Sequence, residues 1–231
     1  MLDRAEIALR KLEGTPFEEE ARLALLSIYE RSRDWANATE IAARLGSSSH
    51  GSFSTRQAHY LCEQASAAAA AGDTAKALST LHEAATMAPA SARPLIDLAK
   101  LQNQLGQPQD ALQTLLTLDK TAPQGLPLAA GLLANMAKSS GQQATALGLL
   151  KASYAQMPSI DVIEAIVKLE EDPASARQWY VQHLEREASL VAAGKWIAGE
   201  KLQDEHHHML VQRAGPGHQA PDALPLCCLR L

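Results

Sequence analysis

One interval, about 34 residues long, governs this sequence. The same interval separates Gly72 from Gly106, Ala77 from Ala111 and Pro89 from Pro123, and Gly141, Ala146 and Pro158 follow at an interval only one position longer. Upstream, Asp34-Trp35 and Ala38 take the corresponding places at a somewhat greater distance. The surplus falls in Gly46-Ser47-Ser48-Ser49-His50-Gly51, a flexible loop composition. Ala5, in Asp3-Arg4-Ala5, lies close to one further interval before Ala38. The unit reads most clearly between Ala58 and Pro89. A first helix ends near Ala71, Gly72-Asp73 turns the chain, and a second helix runs to Met87 before Pro89 stops it. Gly72 takes the left-handed conformation of a helix end at no steric cost, and Pro89 lacks the N–H of a continuing helix. Ala65, Ala77 and Ala84 sit where the two helices of such a hairpin must approach closely.

A helix–turn–helix unit of this length, with Gly at the turn, Ala at the closest approach and Pro at the end, is the tetratricopeptide pattern. The expected fold is therefore all-α: a right-handed superhelical solenoid of antiparallel helix pairs. Residues 2–12 read as a second helix without its first, leaving Ile7, Leu9 and Leu12 short of their usual neighbours. Complete units follow: Phe17 to Arg31 with Trp35 to Leu45, then units from Ala58, Ala92 and Pro127. Past Pro158 the pattern loosens into Ile160 to Glu170 and Ala174 to Glu187, with Asp172 capping a helix that starts at Pro173. A last pair is expected at Leu190 to Leu202 and Asp204 to Arg213. The solenoid thus spans 1–213 as a partial first repeat and about five further helix pairs. Residues 214–231, rich in Gly and Pro and then aperiodic, read as a disordered tail.

Composition narrows the function. A formal net charge of −5 leaves no basic footprint for nucleic acid. No apolar run approaches the ~20 residues that span a bilayer, and Met1-Leu2-Asp3-Arg4 opens directly into an amphipathic helix with none of the architecture of a signal peptide. The three cysteines form no disulfide framework, since Cys62 is mid-helix and Cys227-Cys228 are adjacent.

Few residues invite chemistry. His59 and Cys62 share a helix face, a spacing compatible with a nucleophile pair or a nascent metal site. Cys62 reads better as a small apolar residue, because no further ligands lie nearby in sequence. His206-His207-His208 fan out by about 100° per residue on a helix and cannot converge on one ion. Glu170-Glu171 reads as helix-end charge. No catalytic residue, metal ligand or cofactor is expected in this chain, which is not read as an enzyme. What remains is the inner face that first helices line in such a stack: His59, Arg93, Ile96, Lys100 and Asn103, then Asn135 and Lys138, a set suited to an extended peptide or a partner helix. Ile96 and Gly131 fall where a carboxylate clamp would carry polar residues, so that clamp is incomplete.

The run His59-Tyr60-Leu61-Cys62-Glu63, with Ala58 before it and Ala65 beyond, exceeds the generic repeat. Together with Asp3-Arg4-Ala5-Glu6 and Asp34-Trp35 it resembles the lipopolysaccharide assembly protein B family over roughly residues 2–213. That resemblance implies a bacterial adaptor, anchored to the cytoplasmic face of the inner membrane, with a tetratricopeptide solenoid and a C-terminal rubredoxin-like metal domain. Its implied partners are proteins: a membrane protease, and the lipopolysaccharide deacetylase that the protease degrades. The family's anchor and its two Cys-x-x-Cys knuckles have no match here, so membrane attachment is expected only through an anchor this sequence lacks, and oligomerisation stays open. A permitted codon choice for Leu224 to Leu231, read one base later, encodes Tyr-Arg-Cys-Ala-Ala-Cys-Gly, a knuckle opening. The ending therefore reads as a frameshifted metal domain. Two alternatives stand beside this: a tetratricopeptide scaffold for another envelope assembly complex, and the non-catalytic arm of a truncated enzyme.

Overall fold

The computed structural model describes residues 2–46 and 53–186. The Gly46–Gly51 loop for the most part, the histidine triplet, the pair expected at 190–213 and the tail at 214–231 lie outside them. The described chain divides into two compact units, one ending at Gly125 and one beginning at Leu126.

The first unit holds α1 (Leu2–Arg10), α2 (Glu18–Ser32), α3 (Trp35–Gly46), α4 (Ser54–Ala70), α5 (Thr74–Met87), α6 (Ala92–Gln104), α7 (Pro108–Leu116), α8 (Leu118–Thr121) and a 3-10 turn at Pro123–Gly125. Each helix packs on the next in sequence. Sequence periodicity dictates the pairing. Ala38, Ala77 and Ala111 are fully buried at the points of closest approach, where a larger side chain would hold the helices apart.

Helix ends follow one device. Gly72 and Gly106 adopt positive φ (82° and 76°). The amides just past them reach back across the helix end, Asp73 N to Ala68 O at 2.9 Å and Gln107 N to Gln102 O at 2.9 Å. At the end of α2 the same place falls to Arg33, the one positive-φ residue other than glycine among the described residues (φ 57°), with Asp34 N bonded to Tyr29 O at 2.9 Å. The turn geometry is thus shared even where the glycine is not.

Two apolar clusters are joined by α4. Tyr60 packs with Leu25, Leu26, Tyr29, Ala38, Ile41, Ala42 and Leu45 of the preceding pair. Ala58, Leu61, Cys62 and Ala65 pack with Ala77, Leu81, Ala84, Leu98 and Leu101. A helix buried on two sides in this way is how a repeat array extends one continuous core. At the N-terminal end α1 is held by more than its apolar residues. Tyr29 donates to Glu6 Oε1 at 2.8 Å, and Arg10 donates to the Tyr29 hydroxyl at 2.9 Å. Leu9 packs on the cluster of α2 and α3, whereas Ile7 stays 58% exposed.

One departure from the expected pattern lies between Ala111 and Pro123, where the second helix of the unit is broken at Thr117. The Thr117 hydroxyl donates to Thr114 O at 2.6 Å and its amide bonds the same carbonyl, tightening the turn and splitting α7 from α8.

The second unit holds α9 (Leu126–Ser139), α10 (Gln143–Gln156), α11 (Ile160–Leu169) and α12 (Pro173–Arg186). Gly141 repeats the positive-φ turn at 67° and Ala146 the buried small residue. Leu133, Ala134, Ala137, Leu150, Ile163 and Ile166 are buried. Asp172 caps α12 as expected from Asp-Pro. Its carboxylate accepts from Ala174 N and Ser175 N at 3.2 and 3.0 Å, and these bonds with the Ser175 hydroxyl hold its pKa below the usual value.

Candidate functional site

In the first unit, α4 and α6 lie side by side, and the polar residues between them fall on one strip of each helix. Arg93, Asp97 and Lys100 recur at helical spacing on α6, facing His59 and Glu63 on α4. Arg93 is the hub. Its Nη2 donates to Glu63 Oε1 at 2.5 Å, its Nε to Asp97 Oδ2 at 3.3 Å, and its Nη1 to the His59 ring. Lys100 Nζ reaches Asp97 Oδ1 at 3.3 Å. Beside this network lies a groove of 260 Å³, bordered by Arg93, Asp97 and Lys100 and backed by Cys62, Ala65 and Leu101.

The segment His59 to Glu63 links neighbouring repeats. His59 and Glu63 bond to α6. Tyr60 turns the other way, stacked on Trp35 with ring centroids 5.9 Å apart and bonded through its hydroxyl to Glu30. Burial, reinforced by that carboxylate, holds the hydroxyl pKa above its ordinary range. Gln64 continues the joint, donating to Trp35 O at 3.1 Å and Thr39 Oγ1 at 2.8 Å. Cys62 is 2% exposed, and burial, with the Asp97 carboxylate adding, pushes its thiol up to about 11. A thiol so held has little thiolate at neutral pH. The pair is divided between two jobs.

The other expected inner-face residues are placed variously. Lys100 is exposed and Asn103 half-buried, whereas Ile96 is 8% exposed and presents almost no surface. In the second unit Asn135 and Lys138 are exposed, and Asn135 accepts a hydrogen bond from Lys168. Glu63 and Asp97 belong to the face of the first unit and were not assigned to it by sequence reasoning. A signal was available: Arg93 stands one full repeat after His59, so equivalent positions of neighbouring first helices meet. Glu170 serves structure, bonded to Lys151 at 2.8 Å and to Trp179 Nε1 at 3.3 Å. Among the described residues, no group of three or more His, Cys, Asp or Glu is arranged to hold a metal, and no helix is long and apolar enough to cross a membrane.

Residues 68–136, from the end of α4 into α9, match the family model described as tetratricopeptide repeat. This stretch is tetratricopeptide repeat. The pairs α2–α3 and α9–α10 on either side of it are built to the same plan, with the same turn and the same buried alanine, and the fold class is that of tetratricopeptide proteins. No curated protein matches the chain. Solved structures similar to it include the MamA protein, at 14% identity over 81% of this chain and 97% of that one (TM-score 0.46). PilF of Pseudomonas aeruginosa is 19% identical over 86% and 90% (TM-score 0.46). A tetratricopeptide protein of Thermus thermophilus is 21% identical over 76% and 91% (TM-score 0.37). Tetratricopeptide repeats are protein-interaction scaffolds.

Proposed function

We propose that this chain is a protein-interaction adaptor of the lipopolysaccharide assembly protein B type. In this reading it works at the cytoplasmic face of the bacterial inner membrane and brings the lipopolysaccharide deacetylase to a membrane protease. No cofactor and no metal are assigned to the chain itself. One observation carries the adaptor role: the charged strip of His59, Glu63, Arg93, Asp97 and Lys100 lies on the surface of two adjacent first helices, cross-linked by Arg93 and therefore held in fixed geometry. A strip prearranged in this way binds a peptide or helix with little ordering cost. The finer identity rests on the His59-Tyr60-Leu61-Cys62-Glu63 run and its resemblance to that family.

The reading excludes a nucleophilic role for Cys62, because an adaptor needs none and the thiol is buried and protonated. Affinity capture from bacterial membranes, with the chain tethered to the inner membrane as bait, tests the proposal. Recovery of the protease or the deacetylase supports it. Retention of a different complex with neither of them overturns the identity.

A further inference from the structure

The second unit carries a groove unlike the charged face of the first. Residues 128, 131, 132 and 135 of α9 and 161, 164, 165 and 168 of α11 form two facing strips, each at helical spacing, around a cavity of 640 Å³. In the repeat register, Leu128 and Leu132 occupy the positions held by Arg93 and Asp97 one unit earlier, and Gly131 that of Ile96. The charged strip is thereby replaced with aliphatic side chains around a gap. Leu128 is 80% exposed, the most exposed large apolar residue among those described. A Cβ at Gly131 would meet no atom within 4 Å, so the gap is open space. Ala165, buried, contributes the floor.

The opposite wall is acidic. Asp161 is exposed, and its carboxylate has no bonding partner among the described residues, while its backbone amide donates to Ser159 Oγ at 3.2 Å. Glu164 is half-buried next to it on the same wall. Lys168, the one cation lining the groove among the described residues, is bonded to Asn135 at the far end.

Resting on the adaptor reading, we propose that this groove selects a peptide segment pairing a large aliphatic side chain with a lysine or arginine. The aliphatic group fills the space over Gly131 against Leu128 and Leu132, and the cation meets Asp161. An apolar side chain seated against Leu128 takes apolar surface out of water, and the Asp161 carboxylate, unpaired among the described residues, disfavours an acidic partner, so the two halves of the recognition come from opposite walls.

Two fluorescein-labelled synthetic dodecapeptides test this on the full chain by fluorescence anisotropy. Both carry leucine and otherwise uncharged residues, one with arginine a helical turn after the leucine and the other with glutamate there. The arginine peptide is expected to bind at least about fivefold tighter. D161K should reverse that preference, and L128S should weaken the arginine peptide by about tenfold. Both substitutions are at exposed positions, and circular dichroism checks that the helices persist. Equal binding of the two peptides, no binding of either, or a preference untouched by D161K overturns the proposal. So does a loss produced by R93A and not by L128S. The two readings fail separately: the stated preference without capture of protease or deacetylase removes the adaptor identity alone. Capture that survives L128S and D161K, with no peptide preference, removes the groove alone.

Discussion

Gly125 should be the least replaceable glycine in the first unit, for a reason unconnected with backbone conformation. It closes the 3-10 turn Pro123–Gly125, buried, with its amide bonded to Ala122 O at 2.8 Å, and Gln124 fastens the turn to Ala90 O at 3.0 Å. A methyl placed on Gly125 would overlap the methyl of Ala92, the first residue of α6, and lie 3.5 Å from its Cα. Carbon atoms rest about 3.5–4.0 Å apart, so the turn and α6 must separate by ~1 Å or more. Overfilling a packed contact typically costs about 1–3 kcal/mol, and the tethers at both ends of this turn place G125A toward the upper figure. Urea unfolding monitored by circular dichroism should show that loss, with a fall in melting temperature of roughly 6 °C or more. A92G removes the opposing methyl, and the double variant should regain most of the stability, at the small expense of a glycine in the first helical turn. G148A is the control. Its site in α10 has no atom within 4 Å, and the alanine should add about 0.5–1 kcal/mol through helix propensity. The reasoning is refuted if G125A is as stable as the parent, or if it loses as much in the A92G background as alone.

R33G should stabilise by about 0.5–1 kcal/mol, because it supplies the left-handed position after α2 with the residue that Gly72, Gly106 and Gly141 already provide; a loss in urea unfolding would contradict the shared turn geometry. Alkaline stability should fall between the ordinary thiol value of 9.0 and about 11, since the unfolded Cys62 has released its proton there and the folded one retains it. The folded state then binds more protons, so stability declines as pH rises, by at most about 2–3 kcal/mol. C62A should flatten that part of the profile, and an unchanged slope would show that the thiol is not the source. Y60F removes the hydroxyl that Glu30 accepts from and should cost about 1 kcal/mol in thermal unfolding. R93A, at a half-exposed ion-paired site, should change stability by less than about 1 kcal/mol while weakening any partner held by the α4–α6 strip.

The helix pairs were legible in the sequence because each depends on local residues. Glycine or a turn at fixed spacing ends the first helix, alanine shortly after admits the second, and proline or Asp-Pro resets the chain. The period carried even to Arg33, where the glycine is lacking, because the amide bonds across the helix end and the buried Ala38 fix the same turn. The break at Thr117 was not legible. A threonine hydroxyl either faces solvent or takes a backbone carbonyl, and the residue type alone does not decide between them.

The repeat register put His59, Arg93, Ile96, Lys100, Asn103, Asn135 and Lys138 together on one expected inner face. Which of these residues bond, and to what, depended on neighbours about one repeat away in the chain: Glu63 for Arg93, Lys168 for Asn135 and Glu30 for Tyr60. The burial of Ile96 and the exposure of Leu128, one repeat after Arg93, have the same origin. Equivalent positions have equivalent directions, but the space in front of each is set by the side chains of the facing helix.

The sequence by itself determined the repeat and its turns, since these follow from spacing along one chain. Only the tertiary structure decided that the His59–Cys62 pair is divided between a salt-bridged surface and a sealed core. It also decided that the groove beside Leu128 and Asp161 is open. Both are properties of how helices meet, and a side chain's solvent and charge environment is fixed only once they do.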